Sequence, residues 1–547
     1  MRKGVKVALV GGVFVVMVGG AGYSAFSLVS GFSDDGGSAA GPSGEGGGEV
    51  RTGPPSDAEV RETSRNFLAA WAEGDARQAA GYTNDSAPAG AALTGYREDA
   101  HLTKVRITPK RASGARVPFT VSATVAYRGK SKPLSYESEL TVVRRKTTGR
   151  ALVDWRVSVV HPSLEKGESL ATGEAPTPPV QAVDRAGTVL RKKDHPSLGP
   201  LIDELRRRYG DEAGGTPGVE LYVRREGSEG AARTLLTLSK GKPGTLRTTL
   251  SAGVQRAAER AVLRYDESSV VALKPSTGEV LAVANNRGDA FNAAFEAKVM
   301  PGSTMKIVTA AMFIDKGVTT ADGTAPCPPT ATWQSQTIGN LKGLAPNESA
   351  TFAEDFARSC NTAFVKLIDE DGVTDSSLTE EAQDKFGLGR GDWKVGLPSF
   401  EGSVPASPGP DRATNAIGQG QVQMSPLALA SVTATAKTGA FRQPVIVPRS
   451  LDGRELATAD GLKASTAAQL RQMMHRTAVR GTGARVMASL GGDTGAKTGS
   501  AEVDGRRKSD SWFTGYRGDV AAAAMTQRGG HGGDAAGPIV ADVLRAG

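Results

Sequence analysis

The 547-residue chain has few of the side chains from which metal centres are built. Its histidines show no metal-ligand spacing; they are His101, His161, His195, His475 and His531. It also lacks a glycine-rich phosphate loop and a dinucleotide-binding fingerprint, and nothing in it resembles a nucleic-acid-binding module. We therefore expect no metal, no cofactor and no nucleic-acid partner. The net charge of +8 decides little, because it suits anionic surfaces and arginine-rich compositions equally.

Cysteine is almost absent as well, since the chain has only Cys327 and Cys360. Outside the cytoplasm such a pair can form a disulfide. The alternative is a pair of buried thiols that pack as small apolar side chains. Neither cysteine is near the N-terminus, which excludes a lipid-modified cysteine as the means of membrane attachment.

An uncharged apolar stretch, residues 7–29, follows the basic residues Arg2, Lys3 and Lys6. It is long enough to span a bilayer, and its basic flank orients it with a short cytoplasmic tail. The alternative is a cleaved signal peptide, whose apolar core is usually shorter, about 7–15 residues. We predict a membrane anchor in residues 1–30 with the catalytic part outside the cytoplasm. A flexible Gly- and Ser-rich linker follows over residues 31–55.

Residues 56–166 are predicted to form a small α+β domain with one helix on an antiparallel sheet. The apolar face of the helix contains Val60, Phe67, Leu68 and Trp71. Period-two alternation predicts strands over residues 117–125, 140–142 and 155–159. The domain holds no cluster of catalytic side chains, which favours a spacer role over a binding role. Residues 167–244 form a further mixed module, with a predicted helix over residues 201–209 and a strand near residues 221–223.

Three short motifs follow in the second half of the chain. The first is Ser303-Thr304-Met305-Lys306, the second is Ser359-Cys360-Asn361, and the third is Lys497-Thr498-Gly499, which Ser500 follows. Each of them occurs by chance in many proteins, as an ordinary helix start or cap. Together and in this order they indicate acyl transfer through a serine ester, because they supply a nucleophile, bases and cations for one site.

The first motif follows Pro301-Gly302 and opens an apolar run, which predicts a turn that leads into a helix. Lys306 then projects from the same helix face as Ser303. A lysine has an ordinary pKa of about 10.4 and must lose its proton before it can accept one from serine. Burial and a neighbouring cation both lower that pKa, and Lys497 is the candidate cation.

The second motif lies in a mixed stretch, residues 352–368, that predicts two helices joined by a turn. Ser359 could relay a proton, and the Asn361 amide could bind a peptide backbone. The alternative is a simple helix N-cap.

The tripeptide Lys-Thr-Gly occurs twice, and the two copies predict different structures. Lys437-Thr438-Gly439 ends a helical pattern, with glycine in the capping position. Lys497-Thr498-Gly499 begins a strand–turn–strand pattern, which places it at a sheet edge where a substrate could lie antiparallel. We therefore assign the third motif to the second copy, with the backbone N–H groups of Ser303 and Ser500 as the oxyanion hole.

The three motifs resemble the signature of penicillin-binding proteins and serine β-lactamases. Residues 268–286, 416–420 and 425–428 resemble further segments of the class B penicillin-binding proteins, and the resemblance covers residues 245–547. It implies an antiparallel sheet flanked by helices plus an all-helical subdomain. The sequence around Trp155 and His161 resembles the cone-shaped nuclear-transport-factor-like domain that precedes some members. The expected fold is thus α+β and multidomain, with a single transmembrane anchor.

The resemblance implies a peptidoglycan D,D-transpeptidase that acts on D-Ala-D-Ala stem peptides and is acylated by β-lactams. Ser303 is then the nucleophile, Lys306 the general base, Ser359 the relay and Asn361 a substrate ligand. The substrate carboxylate would be bound by Lys497, Thr498, Gly499 and Ser500. Residues 1–244 contain no predicted glycosyltransferase domain, so a membrane polymerase is the expected partner.

Two alternatives stay open. A D,D-carboxypeptidase or β-lactamase would share the motifs and differ only in hydrolysing the acyl-enzyme; a Glu-x-x-x-Asn pattern shortly after Ser359, which a class A lactamase needs, is lacking. A non-catalytic β-lactam sensor or a structural pseudoenzyme is the second alternative, although Ser303, Lys306 and Lys497 are all retained.

Overall fold

The computed structural model describes residues 51–227, 231–503, 505 and 507–547. The predicted anchor and most of the predicted linker lie outside these described residues. Within the described part of the chain, no helix combines the length and the apolar character needed to cross a bilayer. Of these residues, 51–54 and Arg144–Arg150 cluster as a small unit, and the remainder forms a second unit, which is described below.

The first helix of that unit begins where the sequence supplies a capping box. The Ser56 hydroxyl accepts from the Glu59 N–H, and the Glu59 carboxylate accepts from the Ser56 N–H. The helix ends at Gly74, which adopts the left-handed conformation. The predicted apolar face of Val60, Phe67, Leu68 and Trp71 is buried, as expected. Two more helices follow, so the structure has three where the sequence predicted one: α1 (Asp57–Glu73), α2 (Ala76–Gly81) and α3 (Ser86–Glu98).

A four-stranded antiparallel sheet in the order β1-β2-β3-β4 covers these helices. Its strands are β1 (Leu102–Pro109), β2 (Arg116–Tyr127), β3 (Lys130–Arg144) and β4 (Ala151–Val153). The alternation predicted over residues 117–125 is confirmed, because every second side chain of β2 is buried. The strand predicted over residues 155–159 is wrong. That segment turns into a 3₁₀ helix, Val157–Val159, as Trp155 packs edge-on against Phe67 with ring centroids 6.4 Å apart.

The next elements are β5 (Glu168–Glu174), β6 (Gln181–Val183), α4 (Gly199–Tyr209), β7 (Val219–Arg225), β8 (Ala231–Ser239) and β9 (Thr245–Arg247). The predicted helix over residues 201–209 and the strand near residues 221–223 are confirmed as α4 and β7. Strands β5, β7 and β8 form an antiparallel sheet. Its residues Leu170, Leu221 and Val223 share one apolar core with Phe67 and Phe119. The core of the first sheet therefore continues into this module.

The C-terminal half is built on a five-stranded antiparallel sheet in the order β11-β10-β16-β15-β14. Its strands are β10 (Ser268–Leu273), β11 (Val280–Asn286), β14 (Thr494–Ala501), β15 (Asp510–Arg517) and β16 (Val520–Thr526), and a separate hairpin is formed by β12 (Thr330–Trp333) and β13 (Gln336–Gly339). The helices are α5 (Ala252–Val262), α6 (Ala293–Glu296), α7 (Lys306–Asp315), α8 (Phe352–Arg358), α9 (Asn361–Leu367), α10 (Ser377–Asp384), α11 (Asp411–Ala416), α12 (Pro426–Thr438), α13 (Ala464–Val479), α14 (Ala484–Met487) and α15 (Ala536–Ala546).

Both faces of this sheet are buried, which explains the alanine-rich sequence of its inner strand β16. Ala521, Ala523 and Met525 belong to the core shared with α7 and α12. Ala522 and Ala524 belong to a second core shared with α5 and α15. Successive side chains of a strand point to opposite faces, so small residues let helices pack closely on both sides. Strand β14, which carries the third motif, is left at the edge of the sheet.

Candidate active site

Ser303 lies in a 3₁₀ turn, Gly302–Met305, that leads directly into α7 at Lys306. Gly302 has a positive φ of 54°, and a Cβ there would overlap the carbonyl oxygen of Ser500. Only glycine combines that conformation with that approach. The turn that carries Ser303 is therefore held against strand β14, and the predicted turn-to-helix transition is confirmed.

A second contact, with Gly418, also holds this turn. The Gly302 N–H donates to the Gly418 carbonyl over 2.9 Å, and a Cβ at Gly418 would overlap the Gly302 carbonyl oxygen. The hydroxyl of Thr309 in α7 donates to the Ala416 carbonyl over 2.8 Å. The segment of residues 416–420 thus locates both the nucleophilic turn and the helix that follows it.

Lys306 is fully buried at the start of α7. Its Nζ donates to the Ser359 carbonyl (2.9 Å), the Cys360 carbonyl (3.1 Å) and Asn361 Oδ1 (2.7 Å). Burial holds the Lys306 pKa well below its ordinary value, repulsion from Lys497 lowers it further, and Asp355 opposes the shift. Three neutral acceptors thus lie around the amine. The uncharged form, which these surroundings favour, can donate to two of them at a time and keeps a lone pair that can accept a proton.

Ser359 lies between the two lysines of the site. It separates α8 from α9 and adopts a left-handed conformation with a φ of 64°. Its carbonyl accepts from Lys306, while its Oγ accepts from Lys497 Nζ over 2.9 Å. Non-glycine residues rarely adopt this conformation, and they do so where the surrounding structure enforces it. The predicted two helices joined by a turn are confirmed, and the turn is what brings Ser359 to both amines.

Lys497 projects from the edge strand β14 and is also fully buried. Its Nζ donates to Ser359 Oγ and to the Thr498 carbonyl (3.0 Å), and it lies 5.5 Å from the centroid of the Phe356 ring. Burial lowers the pKa of Lys497 to about 7. The strand–turn–strand prediction around this motif is confirmed by β14 and β15.

The residues after Lys497 pack against neighbouring turns. Thr498 Oγ1 lies 2.6 Å from Thr482 Oγ1, and a Cβ at Gly499 would lie 2.8 Å from the Pro301 carbonyl oxygen. Ser500 Oγ lies 3.4 Å from His531 Nδ1. Glycine at position 499 is therefore required by the closeness of the nucleophilic turn to the strand.

These residues surround an open cavity of about 680 Å³. Six of the eight predicted site residues contribute to its wall; they are Ser303, Ser359, Asn361, Thr498, Gly499 and Ser500. Lys306 and Lys497 lie beneath it. A larger hollow of about 1350 Å³ lies beside α3, and it contains none of the predicted site residues. Ion pairs between Arg224 and Asp99 and between Arg225 and Glu168 line that hollow, which carries no nucleophile–base arrangement.

A disulfide joins Cys327 to Cys360, the middle residue of the second motif. The Asp355 carboxylate lies close to both sulfurs, and neither of its oxygens has a hydrogen-bond partner among the described residues. Burial raises the Asp355 pKa to about 7. These three side chains could in principle bind a metal, but both sulfurs are shared in the disulfide and are therefore not thiolate ligands.

Among the residues of the cavity wall to which the sequence assigned no catalytic or binding role are Asn340, Gln419, Thr482 and His531. Gln419 lies within the segment of residues 416–420 and donates from Nε2 to the Ser500 carbonyl over 3.4 Å. The others lie outside regular secondary structure in three distant parts of the chain, where no periodicity or spacing marks them.

Lys437-Thr438-Gly439 is confirmed as a helix C-terminus. Helix α12 ends at Thr438, and Gly439 caps it with a φ of 80°. Lys437 pairs with Asp493 and lies over the ring of Tyr516 with a distance of 4.9 Å to the centroid. This copy of the tripeptide takes no part in the cavity.

Comparison with known families places residues 268–545 in the penicillin binding protein transpeptidase domain. The chain is 29% identical over 365 residues to a protein named peptidoglycan D,D-transpeptidase PbpA from Mycolicibacterium smegmatis, covering 56% of this chain and 73% of the relative. It is 28% identical over 253 residues to the PbpA of Mycobacterium tuberculosis, covering 39% of this chain and 50% of that one. It is 25% identical over 376 residues to penicillin-binding protein 3 of Bacillus subtilis, 60% of this chain and 53% of that one. The chain thus spans about half the length of the last two relatives.

Solved structures show the same fold. Penicillin-binding protein 3 of Mycobacterium tuberculosis superposes with a TM-score of 0.54 at 22% identity, covering 68% of this chain and 96% of that chain. A chain from a peptidoglycan synthase complex that coordinates polymerization and crosslinking superposes with a TM-score of 0.54 at 21% identity, covering 71% and 93%. At these identities the likeness concerns the fold alone.

Proposed function

The chain belongs to the penicillin binding protein transpeptidase family, and from that premise we propose that it is a class B peptidoglycan D,D-transpeptidase working through an acyl-enzyme on Ser303. The observation that carries the proposal is the position of Ser359. Its carbonyl and its hydroxyl each accept from a different buried lysine, and Ser303 opens into the same cavity. A nucleophile, a base of lowered pKa and a second cation are thus assembled in one site.

Acylation begins with Lys306 in its uncharged form. Its amine takes the proton of the Ser303 hydroxyl as Oγ attacks the carbonyl carbon of a D-Ala-D-Ala peptide bond. The backbone N–H groups of Ser303 and Ser500 would donate to the oxyanion. In enzymes of this kind each such donor stabilises the transition state by about 3–4 kcal/mol. The proton then passes through Ser359 to the departing D-alanine amine. The peptide bond breaks, and an ester on Ser303 remains.

Lys497, Thr498 and Ser500 would bind the terminal carboxylate of the substrate. Strand β14 is at the edge of the sheet, so an extended peptide can lie antiparallel to it. The Lys497 pKa of about 7 would rise once a carboxylate binds beside the amine, because an opposite charge favours the protonated form. The third motif thus serves substrate binding more than proton transfer.

The second half of the reaction distinguishes the main proposal from hydrolysis. In a transpeptidase, an amine of a neighbouring stem peptide attacks the ester and releases Ser303. In a D,D-carboxypeptidase or β-lactamase, water does so. Curated relatives named peptidoglycan D,D-transpeptidase support the first outcome. A β-lactam would acylate Ser303 by the same attack, with ring opening in place of amine departure.

The remaining parts of the chain support work on a fixed polymer. Residues 7–29 form the proposed single-pass anchor, with the catalytic part outside the cytoplasm. The α+β region of helices α1–α3 and strands β1–β4 is proposed as a nuclear-transport-factor-like spacer. A membrane glycosyltransferase is the proposed partner, in keeping with the fold shared with a chain of a peptidoglycan synthase complex.

The proposal is tested with a fluorescent penicillin and with a peptide ester ending in D-Ala-D-lactate, using the full chain and its Ser303→Ala variant. Stable labelling of the wild type only, and transfer of the peptide to an added D-amino acid, are the expected results. Label that is lost within seconds would instead identify a β-lactamase. Equal labelling of both proteins would refute the Ser303 assignment.

A further inference from the structure

We propose that Asn340 is the positioning residue of the second motif, an assignment that rests on the proposed function. Asn340 follows strand β13 and lines the cavity. Its Oδ1 accepts from the backbone N–H groups of Asn361 (2.7 Å) and Thr362 (3.2 Å). These are the first two residues of α9, whose initial N–H groups have no partner inside the helix. Asn340 thus caps a helix from outside it.

The cap is needed because of what occupies the usual capping position. Cys360 is the N-cap residue of α9, and its sulfur belongs to the disulfide with Cys327. That sulfur lies 3.3 Å from the Ala363 N–H and is a weak acceptor compared with an oxygen. Serine, threonine, aspartate and asparagine cap helices well because their side-chain oxygens accept strongly. The disulfide therefore leaves the start of α9 dependent on an oxygen from another segment.

The amide nitrogen of Asn340 also has hydrogen-bond partners. Its Nδ2 donates to the Pro328 carbonyl (3.0 Å) and to Thr362 Oγ1 (3.0 Å), and it lies 3.6 Å from Cys327 Sγ. Thr362 Oγ1 in turn donates to the Pro328 carbonyl over 2.7 Å. An amide supplies two acceptor sites and two donors in a fixed plane, and all four are used here. Neither aspartate nor leucine reproduces that set.

Asn361 connects the Asn340 cap to Lys306, the proposed base. Its Oδ1 is one of the three acceptors of Lys306 Nζ, and its Nδ2 donates to the Gly339 carbonyl over 3.0 Å. Asn340 therefore holds the backbone of Asn361, and Gly339, the residue before Asn340, holds its side chain. A shift of α9 would move Asn361 Oδ1 relative to Lys306 Nζ and change the electrostatics around the Lys306 amine. Misplacement of a catalytic group by about 1 Å can cost about 100-fold in rate.

A purely structural role for Asn340 makes a different prediction. The disulfide already ties the segment of Cys327 to the second motif, so loss of the amide does not release the hairpin from α9. If Asn340 only stabilised the fold, its replacement would lower the melting temperature and leave the acylation of folded protein unchanged. If it positions Asn361, replacement changes acylation and its pH dependence in protein that is still folded.

The test is a double-mutant cycle on the full chain, read as the second-order rate of acylation by a penicillin. Asn340→Ala is expected to slow acylation by up to about 100-fold, and Asn361→Ala to slow it comparably. The double variant is expected to match Asn361→Ala alone, because Asn340 acts through Asn361. Asn347→Ala is the matched control, since among the described residues the Asn347 side chain accepts from Ser349 alone. Its rate is expected to equal that of the wild type.

Asn340→Asp supplies a second, independent readout. The carboxylate keeps the cap of α9 and adds a negative charge beside Asn361, whose side chain contacts Lys306, so it raises the Lys306 pKa. The rising limb of the acylation pH profile is therefore expected to move to higher pH while the protein stays folded. Effects of Asn340→Ala and Asn361→Ala that multiply, or an unmoved profile for Asn340→Asp, would overturn the assignment. A wild type that no penicillin acylates would instead overturn the proposed function, and the assignment with it.

Discussion

The tripeptide Lys-Thr-Gly occurs twice in this chain, and the two copies differ in their physical surroundings. Lys437 ends helix α12, pairs with Asp493 and keeps 18% of its side chain exposed. Lys497 lies in the edge strand β14, is fully buried, and among the described residues donates to the neutral oxygens of Ser359 and Thr498. The two lysines therefore differ in burial and in whether a carboxylate pairs with the amine, and the three letters of the tripeptide do not encode either property.

The largest expected difference between the copies is in acylation. Lys497→Ala is expected to slow acylation by a penicillin by about 100- to 1000-fold, as for removal of one electrostatic stabiliser from an active site. Lys437→Ala removes a surface ion pair worth at most about 1 kcal/mol and should acylate at the wild-type rate. Stopped-flow labelling of the two variants measures both. Similar decreases in the acylation rates of the two variants would show that the surroundings of the tripeptide do not determine its role.

The glycines of the two copies, Gly499 and Gly439, are expected to affect different properties of the protein. A Cβ at Gly499 would press on the Pro301 carbonyl beside Ser303, so Gly499→Ala is expected to slow acylation by up to about 100-fold by moving the nucleophilic turn. Gly439→Ala forces a left-handed alanine at a helix cap and should cost about 1–2 kcal/mol of stability. Labelling rates and thermal melts separate the two effects. A slower acylation in folded Gly439→Ala would contradict the separation.

A third contrast is between the acid that pairs with Lys437 and the buried acid that interacts with Lys306. Asp493 is 61% exposed, whereas Asp355 is buried with no hydrogen-bond partner among the described residues and has its pKa raised from 3.8 to about 7. Because the folded pKa lies above the unfolded one, the stability that Asp355 contributes is complete below pH 3.8 and is lost as the pH rises through 7. The unfolding free energy of the wild type should therefore fall by about 2 kcal/mol between pH 5 and pH 8 relative to that of Asp355→Asn.

Denaturant titrations of the wild type, Asp355→Asn and Asp493→Asn at both pH values measure this difference. Asp493→Asn serves as the control and should parallel the wild type. Parallel curves for the wild type and Asp355→Asn would mean that the carboxyl is not held neutral by its surroundings.

The smallest expected effect is the decrease of the acylation rate at alkaline pH. In its proposed role Lys497 must be charged to bind a carboxylate, and its pKa in the protein without substrate is about 7. The second-order acylation rate should therefore fall about tenfold per pH unit on the alkaline side of that value. In Lys497→Arg the guanidinium stays charged, so the alkaline limb should vanish even if the rate is lower overall. Lys437→Arg should keep the wild-type profile. Persistence of the limb in Lys497→Arg would assign it to another group.

The sequence predicted the elements that carry the three motifs, because each motif lies where local signals are strong. Pro301-Gly302 before an apolar run marks the start of a helix, and charged turn residues between two strand-like segments mark β14 and β15. Strand β1 carried no such signal, since only Leu102 of its eight residues is buried. The strand predicted over residues 155–159 was wrong because Trp155 finds its apolar contact on helix α1.

Sequence reasoning missed what tertiary contacts decide. The left-handed conformation of Ser359 and the capping of α9 by Asn340 both depend on segments that approach from elsewhere in the chain. His531 and Thr482 reach the third motif in the same way, from loops without periodicity. Local patterns gave the parts of the site, and long-range packing determined how those parts touch.

The central claim is that Ser303 is the residue that becomes acylated. The most direct measurement is mass spectrometry of the full chain after incubation with benzylpenicillin, followed by proteolysis and mapping of the adduct. We expect one penicilloyl group, on the peptide containing Ser303, and none on the Ser303→Ala protein. An adduct on Ser359 or Ser500, or one that persists in Ser303→Ala, would contradict it.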